Sequence, residues 1–586
     1  MKLTSKYFWC FALITFLSFS LRFEGLWTLE GPIFDEIFYP QYGLNYLQNQ
    51  EFFYPHPPLA NYLYSTSIWI YMTVSSFFGL AGTPVDFESI NPMSYRWINA
   101  LIGSLLFALT YRIAIAIYNN RVFALLASFF VAIDGAMIVD SRIATANMFL
   151  LFFGLCSMVA FSSYIKNNQK NLIYFSFFIG LTASVKWNGL GFFLMASSYY
   201  FLLLLVKYFD KKSVNKNTLN SELAENISPL NYSLYFLVLP ILIYIIVFIP
   251  DVLFNTQFSF IEKHQQMMGY HQTMVGENEH PYCSSWYTWP LMLRPIAYFF
   301  ESYTIADTGI SMIRNIHLFP NPALSLFSLL SVIIMTISWI RLCFNWMNKN
   351  IIEKEFFIFS FILLGYFCNL LPWVIVERCT FIYHYQPSAI FGFLALAWYL
   401  GKWLEQQELS KRIASWLVLL FILVAFLYWL PIQLGIPMEN VRSIGLLNIA
   451  TDFILGSNRG DLLHDFYHVV TEEFHCQPMF YTMNFKKLAD TLWGMDLLNC
   501  GIIFNYNKSA FRTNPTLDDV RASVEFYKDR QTIAMSLFSG SHADEVADLL
   551  SQMPSLSGAL FGSSRKVNIN SNFVLLKSTK HKDCVS

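Results

Sequence analysis

The sequence predicts an all-α polytopic membrane protein of about eleven transmembrane helices, with a small extracytoplasmic α+β region at its C-terminus. Three observations predict it. Of 586 residues, 55% are hydrophobic and only 13% charged, with a mean hydropathy of +0.43; an ordinary soluble domain carries about 25% charged residues. Apolar runs near the ~20 residues that cross a bilayer as helix recur eleven times between residues 7 and 431. Beyond Pro431 the composition becomes that of a soluble domain, with helical patterns at 485–499, 516–530 and 541–552 and strand-like runs at 501–505 and 567–576. The net charge of −1 gives no basic field for nucleic acid. The nine cysteines show no CxxC or Cys/His spacing, so no metal site is predicted from them.

The spans fall at 7–27, 97–118, 121–138, 143–165, 171–186, 189–206, 231–250, 323–341, 355–375, 381–400 and 413–431. Lys2 and Lys6 precede the first, which lacks a small-residue cleavage site and reads as an uncleaved anchor. The run 59–80 is long enough to cross but carries Asn61, Ser65, Thr66, Ser67, Thr73, Ser75 and Ser76. Charge decides its placement, because Lys and Arg collect in the loops of one side. With 59–80 lying in the outer interface, Arg121, Lys166, Lys170, the lysines at 207–216, Lys349, Lys354, Lys402, Lys411 and Arg412 all share the side of the N-terminus. With 59–80 crossing, every one of them falls outside. The reading is therefore a cytoplasmic N-terminus, a membrane domain over 1–435 with outer loops 28–96 and 251–320, and an extracytoplasmic domain over 440–586.

The outer side then collects the residues that look chemical. Asp35 and Glu36 are adjacent carboxylates in GPIFDEIFYP, and a paired carboxylate in a shaped pocket suits general-base work; the plainer reading is a cap on a short helix. His56-Pro57-Pro58 holds an imidazole in one direction, since proline restricts the residue before it. Arg142, in VDSRIATANMF beside Asp140 and Asn147, either snorkels at a span end or binds phosphate through its planar fork. Lys186-Trp187 separates two apolar runs and is either an interface marker or a cation over a lipid phosphate. Arg294 follows an outer loop rich in aromatics and in histidine (His264, His271, His280), whose spacing makes no clear metal set. Arg378, Tyr383 and His384 enter the tenth span in ERCTFIYHYQP, a donor-rich cluster that suits an anionic headgroup or a structural interface.

The ordered motifs FDEIFYPQY, FFYPHPPLANYL, SRIATANMFL, SVKWNGLG, HPYCSSWYTWPLMLRP and RCTFIYHYQP resemble those of the protein O-mannosyltransferases, the dolichyl- or polyprenyl-phosphate-mannose enzymes of the GT-C class, over roughly residues 20–430. The resemblance implies a GT-C fold, eleven spans and an active site outside. It implies that Asp35 and Glu36 are catalytic, with Asp35 the base, and that His56, Arg142, Lys186, Trp187, Arg378 and His384 fall on the family's motifs. With Arg294 and Tyr383 these form the expected substrate-binding set. Many relatives carry an aspartate where this chain has Asn147, and the MIR insertion of eukaryotic members is absent, which points to a bacterial-type enzyme of the cell membrane.

The function so implied is transfer of mannose from a polyprenyl-phosphate donor to Ser/Thr hydroxyls of secreted or membrane proteins, with inversion. No cofactor is required by this reading, and a divalent metal ion is left open. Two alternatives stand beside it. A GT-C enzyme could use another lipid-linked sugar or a lipid or glycan acceptor, since fold does not fix substrate. A transporter would show charged residues in mid-span and paired broken helices in matching halves; here the acidic pair lies in a loop and no halves match.

Overall fold

The computed structural model describes residues 5–439, apart from 80–86, 88, 167–169, 211–227, 274–281, 306–307, 309 and 350–351, together with two short strands, Ile503–Tyr506 and Ile533–Ser536. Each of the eleven predicted spans contains helix. Among the described residues eight helices are long and apolar enough to cross a membrane, and a bent pair makes a ninth. The remaining two predicted spans are the 15-residue helix Asn171–Val185 and Gln386–Glu405, which is buried along most of its length and sits inside the bundle.

Span boundaries shift by a few residues throughout, and two of the differences have a clear local cause. The span expected at 121–138 is two helices, α5 (Arg121–Ile133) and α6 (Gly135–Arg142), bent by 53°. Asp134 makes the break: its backbone is extended, and its carboxylate accepts the Met137 N–H at 3.1 Å, starting α6 as an N-cap, and the Asn321 N–H at 2.9 Å. The tenth span starts at Gln386 rather than 381, after a 3₁₀ turn over Ile382–Tyr385, and Pro387 sits in its first turn where the missing N–H costs nothing.

After the short helix α2 (Tyr39–Leu47), the segment 59–80 forms helix α3 (Leu59–Phe77), and its surroundings show how it runs. It leaves from Pro58, next to the loop that carries Asp35. Its Tyr64 hydroxyl donates to Asn99 Oδ1 at 2.8 Å and its Ser67 hydroxyl to the Ser94 carbonyl at 2.6 Å. Ser94 and Asn99 lie in the first two turns of α4 (Met93–Ile117), where Arg96 also meets Glu36 at 2.6 Å. Both ends of the connection are therefore at the Asp35 end of the bundle, and α3 lies across it instead of traversing it. The opposite end holds Lys166 on the Ile115 carbonyl, Asn120 on Glu405, and the Lys402–Glu355 pair.

Buried arginines tie the helix ends together, each meeting carbonyls that a helix leaves without partners. Arg22 donates to the carbonyls of Val131 and Ala132, the last turn of α5, at 3.1 Å each. Arg142 donates to Leu21 and Glu24 at the end of α1 (Ser5–Phe23), and to Leu434 at 3.1 Å at the end of the last helix (Leu409–Leu434).

The outer loop 251–320 contains structure that its reading as a His- and aromatic-rich loop left out. A helix, Phe260–Thr273, is followed by an antiparallel hairpin of β1 (Ile296–Thr304) and β2 (Ser311–Leu318), with Met438–Glu439 pairing onto β2. Farther on, Ile503–Tyr506 pairs antiparallel with Ile533–Ser536, overlapping the strand-like run at 501–505. The helical patterns at 485–499, 516–530 and 541–552 and the run at 567–576 lie outside the described residues.

Candidate active site

A cavity of about 1420 Å³ opens at the Asp35 end of the bundle. Four stretches far apart in sequence form its walls: the 34–56 loop, the break at Lys186–Asn188 between two helices, the end of the Phe260–Thr273 helix, and the segment 369–384. Asp35, His56, Lys186, Trp187, Arg378, Tyr383 and His384 all line it.

The adjacent carboxylates have opposite fates. Phe34–Ile37 is a 3₁₀ turn, in which successive side chains point about 120° apart. Asp35 keeps part of its surface open to the cavity, and no ion pair among the described residues engages it. Burial pushes its carboxyl up from 3.8 to about 6, with Lys186 pulling the other way. Glu36 points inward and is fully buried. It accepts from Arg96 Nε at 2.8 Å and Nη2 at 2.6 Å, from the Ile33 N–H at 3.0 Å and from the Ala144 N–H at 2.9 Å. Phe34 before them has φ of 50°, rare for a bulky residue, and stacks on Tyr298 at 4.0 Å.

Lys186 follows the last residue of the Asn171–Val185 helix in extended conformation, which turns its side chain out of the helix and into the cavity. Burial brings its ammonium down to about 8, although Asp35 and Asp140 favour the charged form. Nζ lies 5.4 Å from the Tyr39 ring centre and 5.7 Å from that of Tyr383, distances at which a ring face attracts a cation. Trp187 donates Nε1 to Tyr244 Oη at 3.0 Å and faces His264 and His271. His56 and His271 sit 5.2 Å apart, ring centre to ring centre. Burial holds His56 well below the usual histidine range and His271 at about 4, so both are neutral imidazoles at neutral pH.

The rim carrying Arg378 is fixed covalently. Cys283 and Cys379 form a disulfide, flanked by the Ser284 N–H on the Thr380 carbonyl and the Thr380 hydroxyl on the Ser284 carbonyl, both at 2.8 Å. Behind it His384 packs on Trp373 and Tyr383, with ring centres 4.2 and 4.5 Å apart.

Three of the expected site residues lie elsewhere. Glu36 is locked to Arg96, and Arg142 is spent on the helix-end carbonyls described above; neither lines the cavity. Arg294 donates to the Cys283 carbonyl at 3.1 Å and so braces the disulfide. In each case the sequence put a charged group at the correct end of the bundle but did not show which way it points. Tyr39 and Tyr54 line the cavity without having been singled out. Tyr39 follows Asp35 by four residues, a spacing that was readable. Among the described residues no group of three or more His, Cys, Asp or Glu could hold a metal ion, and His264 engages Tyr244 and the Phe260 carbonyl through its two ring nitrogens. His280 lies outside the described residues.

Comparison with known proteins agrees with this architecture. Residues 12–258 match the family described as dolichyl-phosphate-mannose-protein mannosyltransferase, and residues 256–449 match the C-terminal four-transmembrane region of protein O-mannosyltransferase. A polyprenol-phosphate-mannose–protein mannosyltransferase of Mycolicibacterium smegmatis is 22% identical over 73% of this chain and 90% of its own length. Dolichyl-phosphate-mannose–protein mannosyltransferase 4 of Saccharomyces cerevisiae is 25% identical over 31% of this chain and 24% of its own. The fold is shared with the S. cerevisiae Pmt1–Pmt2 complex bound to the sugar donor, with a TM-score of 0.62 at 15% identity over 79% of this chain and 94% of that one. With two adjoining family matches that together run from residue 12 to 449, and a bundle of the same fold, the chain belongs to the protein O-mannosyltransferase family.

Proposed function

We propose that the cavity binds a polyprenyl-phosphate-mannose donor and transfers its mannosyl group to a Ser or Thr hydroxyl of a secreted or membrane protein. The observation that carries this reading is a half-buried carboxylate, Asp35, with no ion pair among the described residues, sharing one cavity with two cations, Lys186 and Arg378, while the cavity's other carboxylate, Glu377, is exposed. The cations take the donor phosphate, and neutral His56 and His271 with the surrounding tyrosines offer hydrogen bonds to the sugar without competing for the phosphate. Leu190, Leu194 and Ile375 line the same cavity and stay largely exposed, an apolar mouth suited to the prenyl chain.

In the transfer, the bond from the anomeric carbon to the phosphate oxygen breaks and its electron pair leaves with the phosphate. The acceptor oxygen bonds that carbon from the opposite face, and its proton passes to Asp35, so the configuration inverts. Lys186 and Arg378 stabilise the charge that grows on the leaving phosphate. Glu36, Arg142 and Arg294 shape the cavity from behind and touch no reactant.

Purified protein given polyprenyl-phosphate mannose and a Ser/Thr-rich peptide should yield peptide heavier by one hexose. Absence of that product with a correctly folded enzyme would remove the reading. Its kcat/KM should be bell-shaped in pH. Protonation of Asp35 removes the base as pH falls through about 6, and loss of the Lys186 charge weakens phosphate binding as pH rises through about 8. A profile flat across both values would count against the two assignments.

We place this cavity on the extracytoplasmic side of the cell membrane, with the N-terminus cytoplasmic and residues 440–586 forming an extracytoplasmic domain; the charge asymmetry of the loops supports this sidedness. Single cysteines at Glu30 and Glu301 should then react with an impermeant thiol reagent from outside, and one at Gln406 only after permeabilisation. Labelling of Glu30 and Glu301 from opposite sides would overturn the path given to α3.

A further inference from the structure

Behind Lys186 lies a chain of buried polar groups that the transfer step does not use. Lys186 Nζ donates to Asn147 Oδ1 at 3.0 Å, and Asn147 Nδ2 donates to Asp140 Oδ2 at 2.8 Å. The other Asp140 oxygen accepts from Thr145 Oγ1 at 2.9 Å and from the Tyr298 hydroxyl at 3.1 Å. Asp140, Asn147 and Lys186 are all buried. An ammonium can only donate and a carboxylate can only accept, so the amide between them has a single orientation, carbonyl to lysine and NH₂ to aspartate.

We infer that Asn147 is a positioning residue for donor binding: an amide spacer, oriented by Asp140, that holds the Lys186 ammonium facing the cavity without pairing it to a carboxylate. The inference rests on the reading of Lys186 as a phosphate-binding cation. A lysine buried this deeply needs a partner to stay charged. A direct ion pair with Asp140 would supply one, but would also commit the ammonium to that carboxylate and away from an anionic ligand. The amide takes one ammonium proton and leaves two for the cavity, while the Asp140 charge acts from one residue farther back. The same carboxylate reaches the base by a second route, because Tyr298 both donates to Asp140 and stacks on Phe34, the residue before Asp35. Asp140 thus fixes the spacing between the cation and the base.

The test is a double-mutant cycle on the intact protein, reading the dissociation constant of polyprenyl phosphate and the thermal midpoint of unfolding. Asn147→Leu keeps the branched shape and removes both hydrogen bonds; it should weaken polyprenyl phosphate on the order of 10-fold, as the loss of a hydrogen bond to a charged group does. Lys186→Met should weaken it at least as much. The double variant should bind no worse than Lys186→Met alone, because a residue acting only through Lys186 has nothing left to act on. An unchanged constant in Asn147→Leu, or losses that add in the double variant, would overturn the role of Asn147 while leaving the donor site standing. An unchanged constant in Lys186→Met would overturn the donor reading itself. Should Asn147→Leu fail to fold, Asp140→Asn replaces it in the same cycle, with the same non-additive outcome expected and an additive loss counting against the inference.

Discussion

Asp35→Asn will give a folded protein whose turnover is lower by about 10²-fold or more, the range by which a positioned general base accelerates a proton transfer. The amide matches the carboxylate in shape, so the cavity and the 3₁₀ turn over Phe34–Ile37 stay as they are. Donor affinity should hold or improve, since a negative charge facing the phosphate has been removed. Stability should hold or improve as well. The folded state keeps this carboxyl near 6 against an ordinary 3.8, so the ionised form costs stability that develops as pH rises between those values and is present in full above the higher one. Full turnover in a well-folded Asp35→Asn enzyme would take Asp35 out of the chemistry.

Glu36→Gln, one residue away, should do the reverse. Its carboxylate is the sole ion-pair partner of Arg96 among the described residues, and both side chains are wholly inaccessible. Removing one charge of a buried pair leaves the other uncompensated, at a cost of about 3 kcal/mol or more. The variant should therefore unfold at clearly lower temperature, while the molecules that stay folded keep donor and acceptor KM near those of the parent. A normal unfolding midpoint with a selective rise in acceptor KM would return Glu36 to the active site. Measured together, the two variants separate loss of chemistry from loss of structure at neighbouring positions.

Much of the fold was legible in the sequence because it follows from solvent. Apolar runs mark the spans, and the charge asymmetry of the loops read α3 as not crossing although its length allowed it, in agreement with both ends of its connection lying at the Asp35 end of the bundle. Part of the cavity was legible for the same reason: Asp35, His56, Lys186, Trp187, Arg378, Tyr383 and His384 were read on one side of the bundle and converge there. What a periodicity cannot show is the direction of a side chain on a short turn. Asp35 and Glu36 read in sequence as a catalytic pair with Asp35 the base, and a 3₁₀ turn sends one to the cavity and the other to Arg96. Arg142 read either as an anchor at a span end or as a phosphate ligand, yet at that end two other helices stop with open carbonyls, and these claim it. The hairpin in the outer loop was missed through weight given to histidine and tryptophan over the alternation in IAYFFESYT.

The Cys283–Cys379 bridge was invisible as spacing, but it sets an order of events for the making of the enzyme. The two cysteines are 96 residues apart, and both the Pro322–Lys349 and Lys354–Leu370 helices lie between them. The bond can close only after that pair of helices has been threaded through the bilayer and residue 379 has emerged beside residue 283 in a compartment that oxidises thiols. The rim that holds Arg378 is thus among the last parts of the site to be completed during biosynthesis. Under the function proposed above, a freshly inserted chain carries its base before the rim assigned to the donor phosphate is fastened.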